Sequence, residues 1–207
     1  MPPRSLAGKP LARLDSRRVA CTSIVLQSVG MKNQMLVSIA LSLLAGAASA
    51  AMSMTSTDIL SGSAIPVAHI YPRCGGKNIS PNLSWSGAPS GTMSFVLTMI
   101  DVDVKPDEWS HWVVVDLPAT SNSLARGAQS LPGGAKAVVS NFGDAAYAGP
   151  CPPKGTGAHH YQFTIWALPT ATISLAPDEK ATTLTAVLSK HALDRASLIG
   201  LVSAPPN

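Results

Sequence analysis

The segment SFVLTMIDVDVKPDEWSHWVVVDLP (94–118) contains two apolar runs separated by a short polar stretch. Residues 94–100 and 111–117 are rich in apolar and β-branched side chains, which is typical of strands buried on both faces. If the two strands pair as antiparallel neighbours, the end of the first and the start of the second lie at the same edge of the sheet. Asp101 and Asp103 would then lie beside His111, and a carboxylate there would orient the imidazole and raise its pKa. In the alternative interpretation, the two aspartates form a turn and His111 only begins a strand.

The rest of the chain after residue 51 repeats this pattern of short apolar runs divided by Pro, Gly, Asn and Ser. YQFTIWAL (161–168) and, more weakly, KAVVSNF (136–142) are further candidate strands, and LIGLV (198–202) is a short last strand. The pattern predicts an all-β sandwich or barrel. PDEKATTLTAVLSKHAL (177–193) differs, because acids in its first turn and apolar residues at helical spacing predict an amphipathic helix. His191 lies near the apolar stripe and is interpreted as a core or surface residue, not a ligand.

Composition and charge limit the possible functions. The chain has 207 residues, of which 46% are hydrophobic and 13% charged, so it can bury one substantial core and is not a disordered tail. Six of its fifteen Lys and Arg residues fall in 1–50, which leaves nine basic and ten acidic residues in 51–207. The body of the protein therefore lacks the basic surface expected of a nucleic-acid-binding protein.

The basic N-terminal part has the pattern of a secretory signal. MKNQMLVSIALSLLAGAASA (31–50) places Lys32 before an apolar stretch and small residues at a cleavage site after Ala50. The stretch is shorter than the roughly 20 residues of a membrane-spanning helix, although an uncleaved anchor is the alternative. We predict that residues 1–30 are an upstream extension from a misassigned start site, that 31–50 are the signal peptide, and that 51–207 form a single domain, periplasmic or secreted.

Two cysteines remain after this cleavage, Cys74 and Cys151. An even pair in an exported chain predicts a disulfide. Two free buried thiols are the alternative.

GPCPPKGTGAHHY (149–161) places two adjacent histidines, His159 and His160, just before the predicted strand that begins at Tyr161. Side chains alternate along a strand, so one of His159 and His160 faces inward. Gly155 and Gly157 allow a turn whose exposed N–H groups form an anion-binding nest. These groups suit a small anion such as phosphate. We expect no metal and no cofactor, because the sequence lacks dense ligand spacing and the G-K-[ST] ending of a P-loop, and no catalytic nucleophile, because it lacks G-x-S-x-G.

Several of these segments together resemble one family, the phosphatidylethanolamine-binding proteins or Raf kinase inhibitor-like proteins, in their bacterial YbhB/YbcL-type branch. The resemblance rests on GKNISPNLSW (76–85), DVDVKPDEWSHWVVVDLP (101–118), NFG (141–143) and GPCPPKGTGAHHYQFTIWALP (149–169), together with LSKHAL and ASLIG near the end. It implies a mainly β, Greek-key sandwich of two antiparallel sheets with one or two peripheral helices. It also implies a small anion pocket at one end.

The resemblance assigns six residues to this pocket and gives the others supporting roles. The ligand-binding residues would be Asp101, Trp109, His111, Pro153, His159 and Tyr161. Asp103, Gly155 and Gly157 would support them. The implied function is a non-enzymatic exported binding protein for phosphate or a phosphorylated, phosphatidylethanolamine-like headgroup. A protein–protein inhibitor of a kinase or protease is the first alternative, and a hydrolase or lyase using the Asp/His pair is the second.

The sequence departs from the family pattern at three points. Val102, Val104 and Lys105 stand in the segment where the family has D-P-D-A-P, which predicts a more mobile and more cationic rim. His160 replaces the arginine of H-R-Y and so removes a permanent charge. The chain also ends soon after LIGLV, from which a more open site is expected.

Overall fold

The computed structural model of the protein describes residues 51–174 and 181–206, apart from the side chains of 181 and 182. The predicted upstream extension, the predicted signal peptide and the predicted acidic first turn of the helix lie outside the described residues. Within those residues, no helix has the length and apolar character needed to cross a membrane.

The described part of the chain forms nine strands, one α-helix and three single-turn 3-10 helices. The strands are β1 (Ser53–Thr55), β2 (Ser63–Ala64), β3 (Leu83–Ser86), β4 (Ser94–Asp101), β5 (Trp109–Pro118), β6 (Ser123–Leu124), β7 (Lys136–Val138), β8 (Ala158–Leu168) and β9 (Asp194–Ser203), and α1 (Ala181–His191) precedes β9. The 3-10 turns are Val67–His69, Pro72–Cys74 and Pro132–Gly134.

The four longest strands follow the apolar runs of the sequence. The predicted strands at 94–100, 111–117 and 161–168 correspond to β4, β5 and β8, and the predicted final strand lies within β9. The weaker candidate at 136–142 is a strand only over its first three residues. The prediction of a mainly β protein with a helix near the C-terminus is confirmed.

The strands form two sheets. One has the order β1-β3-β6, and the other has the order β2-β9-β8-β4-β5-β7. The pairs at the centre of the larger sheet are antiparallel, as predicted, but β2 pairs with β9 in parallel. The prediction of a mainly β fold with two sheets is confirmed. Among the described strands, the two-residue edge strand β2 departs from the antiparallel pairing, and it is too short to show an alternating pattern.

β4 is buried along its whole length because both faces of the larger sheet are covered. Phe95, Leu97 and Met99 belong to the main core with residues of the smaller sheet, such as Leu83 and Trp85. On the opposite face, Val96 packs in a second cluster that includes residues of α1. This two-sided burial explains why the sequence of β4 is continuously apolar and not alternating.

α1 supplies its half of that second cluster through Leu184 and Leu188, which are four residues apart on one helix face and buried. His191 is the last residue of the helix and is exposed. It is therefore a surface residue, one of the two positions predicted for it.

Candidate ligand-binding site

Three of the predicted site residues meet at one edge of the larger sheet. Asp101 ends β4 and is in register with Trp109, the first residue of β5, on one side and with Tyr161 of β8 on the other. This register confirms the antiparallel pairing predicted from the opening segment. The three side chains are brought together by backbone pairing, so their positions depend on the sheet and not on a flexible loop.

His111 lies at an irregularity in β5. Met99 pairs with Trp112 and Ile100 pairs with Ser110, so β5 carries one extra residue, His111, in a β-bulge. Bulges of this kind re-aim a side chain at a sheet edge. Nδ1 of His111 lies 2.9 Å from the carbonyl oxygen of Ala148, to which Nδ1–H donates, and the backbone N–H of Ala148 donates to the carbonyl of His111. Nε2 is left as the ring nitrogen available to a ligand.

The environment of His111 favours its neutral form. Burial lowers the pKa of the imidazole, and this effect outweighs the hydrogen bond to Ala148 and the charge of Asp101, which both raise it. The rings of Phe142 and Tyr161 lie against it with centroids 5.2 Å away in each case. The sequence-based prediction that a neighbouring carboxylate makes His111 more readily cationic is therefore wrong, because desolvation is the larger effect.

Asp101 pairs with a histidine, but its partner is His159 and not His111, beside which the sequence predicts it to lie. Nδ1 of His159 lies 2.7 Å from Oδ2 of Asp101, and the two side chains are 7% and 3% exposed. Its Nε2 lies 2.8 Å from Oγ1 of Thr156. Of the two adjacent histidines, His159 is thus the one that faces inward.

The hydroxyl of Thr156 connects the His159–Asp101 pair to the turn that follows Pro153. Its Oγ1 donates to the carbonyl of Pro153 at 2.7 Å and also contacts Nε2 of His159. The imidazole of His159 is therefore held at both of its ring nitrogens.

His160 pairs with the other predicted aspartate, at the surface. Oδ2 of Asp103 accepts the backbone N–H of His160 at 2.6 Å and lies 2.9 Å from its Nδ1. Partial burial raises the pKa of Asp103, but these hydrogen bonds and the charges of His160 and His159 lower it more, so the net shift is downward. Asp103 therefore holds the loop after β4 against β8, while His160 takes no part in the buried pair.

The segment 149–153 is fixed as a wall beside this edge. A disulfide joins Cys74 and Cys151 with their Cα atoms 5.5 Å apart, as predicted. Oδ1 of Asn78 accepts the N–H of Gly149 at 2.7 Å, and its Nδ2 donates to the carbonyl of Tyr147 at 3.1 Å. A Cβ atom at Gly149 would collide with the carbonyl of His69, so this close approach requires glycine.

These elements enclose a cavity of about 310 Å³. Five of the six predicted ligand-binding residues line it, namely Asp101, Trp109, His111, Pro153 and Tyr161. His159 does not line the cavity and reaches it only through Asp101. The further lining residues are Arg73, Val104, Phe142, Cys151 and Pro152.

Three of these lining residues were not predicted. Phe142 lies in the matching NFG segment, and the backbone N–H of Asn141 beside it donates to Oγ of Ser110 at 2.9 Å, which ties that loop to β5. Val104 lies in the loop after β4. Arg73 precedes Cys74, and the predicted disulfide was the available signal that the Arg73 segment lies beside Pro152 and Pro153.

The predicted anion-binding nest at Gly155 and Gly157 is contradicted at Gly155. The N–H of Gly155 donates to the carbonyl of Pro205 at 2.9 Å, and the carbonyl of Gly157 accepts the N–H of Ala204 at 2.7 Å. The N–H of Thr156 lies 3.4 Å from the carbonyl of Pro153, to which it donates. The turn is held by the C-terminal segment, so these two N–H groups are not free for an anion.

Lys105 also differs from expectation. It does not line the cavity, and its Nζ donates to the carbonyl of Val102 in its own loop at 2.9 Å. The cation at the cavity is Arg73 instead.

The hydroxyl group of Tyr161 is buried and makes no hydrogen bond of standard length and angle with a described residue. The carboxylate of Asp101 and the backbone of Cys151 lie close enough to interact with it. Burial raises the pKa of this phenol, and the charge and hydrogen bonding of Asp101 raise it further. Among the described residues, no group of three His, Cys, Asp or Glu side chains is arranged to hold a metal ion.

A family model described as phosphatidylethanolamine-binding protein matches residues 55–203. The chain is 43% identical over 135 residues to the UPF0098 protein YbcL of Escherichia coli, which covers 61% of this chain and 74% of that protein. It is 36% identical to the E. coli UPF0098 protein YbhB, covering 73% of this chain and 100% of that protein. It is also 36% identical to the "Putative lipoprotein LppC" of Mycobacterium tuberculosis, covering 67% of this chain and 66% of that protein.

Two solved structures have the same fold. The crystal structure of E. coli YbcL, described as a new member of the mammalian phosphatidylethanolamine-binding protein (PEBP) family, matches with a TM-score of 0.69 and 34% identity. The match covers 76% of this chain and 100% of that chain. A PEBP homologue from Chlamydia trachomatis matches with a TM-score of 0.61 and 32% identity, covering 73% of this chain and 97% of that one. The protein belongs to the phosphatidylethanolamine-binding protein family. Within that family it falls in the bacterial branch that contains YbhB and YbcL.

Proposed function

We propose that this protein is an exported, non-enzymatic binding protein whose cavity takes a phosphate or a phosphorylated headgroup of the phosphatidylethanolamine type. The observation that carries the proposal is the cavity in which the buried side chains of Asp101, His111 and Tyr161 meet. The hydroxyl of Tyr161, which makes no hydrogen bond of standard geometry with a described residue, would donate to an acceptor oxygen of a ligand. His111 would supply a second contact through Nε2–H when its imidazole is protonated.

The charge balance of the cavity supports an anion in spite of the carboxylate of Asp101. An isolated carboxylate would repel a phosphate, but Asp101 is hydrogen-bonded to the imidazole of His159, which reduces that repulsion. His111 is neutral because burial lowers its pKa. Arg73 adds a positive charge at the wall. The lining residues as a group therefore favour a negatively charged ligand.

Export is supported by three independent features. The predicted signal peptide precedes the domain, the disulfide between Cys74 and Cys151 is typical of proteins that fold outside the cytoplasm, and a relative bears a name that includes the word lipoprotein. We propose a periplasmic or secreted location on these grounds. A protein target for the same cavity edge remains the first alternative function.

The second alternative, a hydrolase or lyase, has one specific observation in its favour. Thr156, His159 and Asp101 form a hydrogen-bonded chain of hydroxyl, imidazole and carboxylate, which is the order found in nucleophilic catalysis. In this arrangement, however, the hydroxyl hydrogen of Thr156 points to Pro153 and not to His159. Activation of Thr156 would require that hydrogen bond to rearrange.

Calorimetric titration of phosphoethanolamine and inorganic phosphate into the mature protein tests the proposal. We expect binding by the wild-type protein, weaker binding by Tyr161→Phe and His111→Gln, and unchanged binding by His191→Gln, whose imidazole is exposed at the end of α1. Absence of binding by the wild-type protein would refute the proposed function. Hydrolysis of a phosphate or carboxylic ester that depends on Thr156 would support the enzyme instead.

A further inference from the structure

We propose that Arg73 is the residue that selects an anionic ligand in this cavity, by binding two oxygens of the anion through its guanidinium group. This inference rests on the function proposed above and adds to it the group that binds the anion. Among the residues that line the cavity, Arg73 is the one with a permanent positive charge.

The guanidinium of Arg73 is not engaged elsewhere in the described part of the chain. It forms no hydrogen bond or ion pair with a described residue, whereas Arg126, another exposed arginine, pairs with Asp58 at 3.2 Å. A planar guanidinium can bind two oxygens of one phosphate at the same time. Arg73 therefore has its full set of donors available for a ligand.

The backbone that carries Arg73 is fixed on both sides. Arg73 is the middle residue of the 3-10 turn Pro72–Cys74, and Cys74 is bonded to Cys151 of the opposite wall. On the other side, the N–H of Tyr71 donates to the carbonyl of Pro150 at 3.0 Å, and the ring of Tyr71 lies 4.7 Å from that of Phe142. An anchored backbone lowers the entropy lost when the side chain is ordered by a ligand.

The remaining groups at the cavity cannot replace Arg73 above neutral pH. His111 is neutral there, and a neutral Nε2 presents a lone pair to an incoming anion oxygen. His159 is turned to Asp101 and does not line the cavity, and Lys105 donates to Val102 outside it. Anion binding at pH 8 should therefore depend on Arg73 more than on any histidine.

The wall of the cavity is largely apolar and would also contact an organic substituent of the anion. The apolar lining residues are Val104, Trp109, Phe142, Pro152 and Pro153. A volume of about 310 Å³ is at the lower end of the range for small-molecule sites and exceeds the volume of a phosphate ion. An organic substituent would fill that space and gain from burial against these side chains.

Titration of phenyl phosphate at pH 8 into the wild-type protein and three variants tests the inference. We expect Arg73→Gln to weaken binding by about 10-fold to 100-fold, which is the range for losing a charge-assisted hydrogen bond. Arg73→Lys should retain part of the affinity, and Arg126→Gln should bind as the wild type does. Wild-type protein should bind inorganic phosphate more weakly than phenyl phosphate.

A short-chain phosphatidylethanolamine, used below its micelle concentration, distinguishes a lipid headgroup from a soluble phosphate ester. Under the proposal, Arg73→Gln binds both ligands more weakly than the wild-type protein does. The ligand that the wild-type protein binds more tightly shows whether the cavity takes a lipid headgroup or a soluble phosphate ester. Binding of phenyl phosphate by Arg73→Gln within twofold of wild type would overturn the role of Arg73 and leave the proposed function intact. Absence of anion binding by the wild-type protein would overturn both. Unchanged thermal midpoints would show that the variants are folded.

Discussion

His159 and Asp101 form a buried pair, with Nδ1 and Oδ2 2.7 Å apart, between the last residue of β4 and the second residue of β8. Asp103, two residues after Asp101, and His160, the residue after His159, form an exposed pair with nearly the same separation, 2.9 Å. The chain thus offers two Asp–His pairs of matched chemistry that differ in burial.

Removal of one partner should therefore have very different effects in the two pairs. We expect His159→Ala to lower the free energy of unfolding by about 3 kcal/mol or more, because it leaves Asp101 buried and unpaired. His160→Ala should lower it by less than about 1 kcal/mol, because solvent screens the exposed pair. Urea denaturation at pH 7 measures both. Similar losses in the two variants would contradict the difference in burial that the structure shows.

Thr156 should influence anion binding by holding the imidazole that orients Asp101. Thr156→Val removes the hydroxyl that contacts Nε2 of His159, so the imidazole loses one of its two side-chain hydrogen bonds and holds Asp101 less firmly at the cavity. We expect sulfate affinity at pH 8 to fall by roughly threefold to tenfold. Thr156→Ser keeps the hydroxyl and should restore the affinity. Equal binding by the valine and serine variants would show that the hydroxyl has no such role.

The depressed pKa of His111 predicts a specific dependence of stability on pH. Its pKa in the folded protein lies below the unfolded value of 6.5, so below pH 6.5 the unfolded chain binds the proton more readily. The contribution of His111 to stability is therefore present above pH 6.5 and is lost as the pH falls toward the folded pKa. His111→Gln should flatten this part of the curve of unfolding free energy against pH, and His191→Gln should not.

The same residue should link anion binding to proton uptake. A bound anion favours protonated His111, so affinity should rise as the pH falls from 8 to 5.5. Sulfate is the suitable probe because its own charge is constant over this range. Isothermal titration should show the increase in the wild-type protein and its loss in His111→Gln. A pH-independent affinity in the wild-type protein would exclude His111 as an anion donor.

The disulfide should contribute to stability through the loop that it closes. Cys74 and Cys151 are separated by 77 residues, for which the chain-entropy relation gives about 4.5 kcal/mol. We expect the double variant Cys74→Ser, Cys151→Ser to lose about this much unfolding free energy. Two titratable thiols in unreduced mature protein would show that the bond does not form.

The mature N-terminus decides the prediction for residues 1–50. Cleavage after Ala50 predicts that the exported protein starts at Ala51, which intact mass spectrometry can measure. A mature chain that retains Arg17 and Arg18 would refute the assignment of 1–30 as an artefact of the start site.

The parts of the fold that follow backbone periodicity could be predicted from the sequence. The apolar runs of β4, β5 and β8 are continuous because both faces of the sheet are covered, and their antiparallel register brings Asp101 beside Trp109 and Tyr161. Features that depend on distant partners gave no local signal. The parallel pairing of β2 and the bulge at His111 are of this kind.

The incorrect or missing predictions at the site also concern contacts between residues that are far apart in the sequence. Gly155 has the composition of an anion-binding turn, but its N–H is taken by Pro205, which lies fifty residues away in the chain. The environment of His111 was predicted from a neighbouring carboxylate, whereas its pKa depends mainly on the burial that the whole fold imposes. Arg73 was missed because its position at the cavity depends on the disulfide beside it.

The bond between Cys74 and Cys151 also determines how the protein responds to tension. A pulling force applied between the two ends of the domain passes directly from Cys74 to Cys151 through the sulfur atoms, and the chain between them, which contains β3 to β7, carries no load. Because these 77 residues cannot be stretched while the disulfide is intact, the fully extended domain is shorter by roughly 260 Å. Force spectroscopy should show that missing length, which returns in the presence of a reductant.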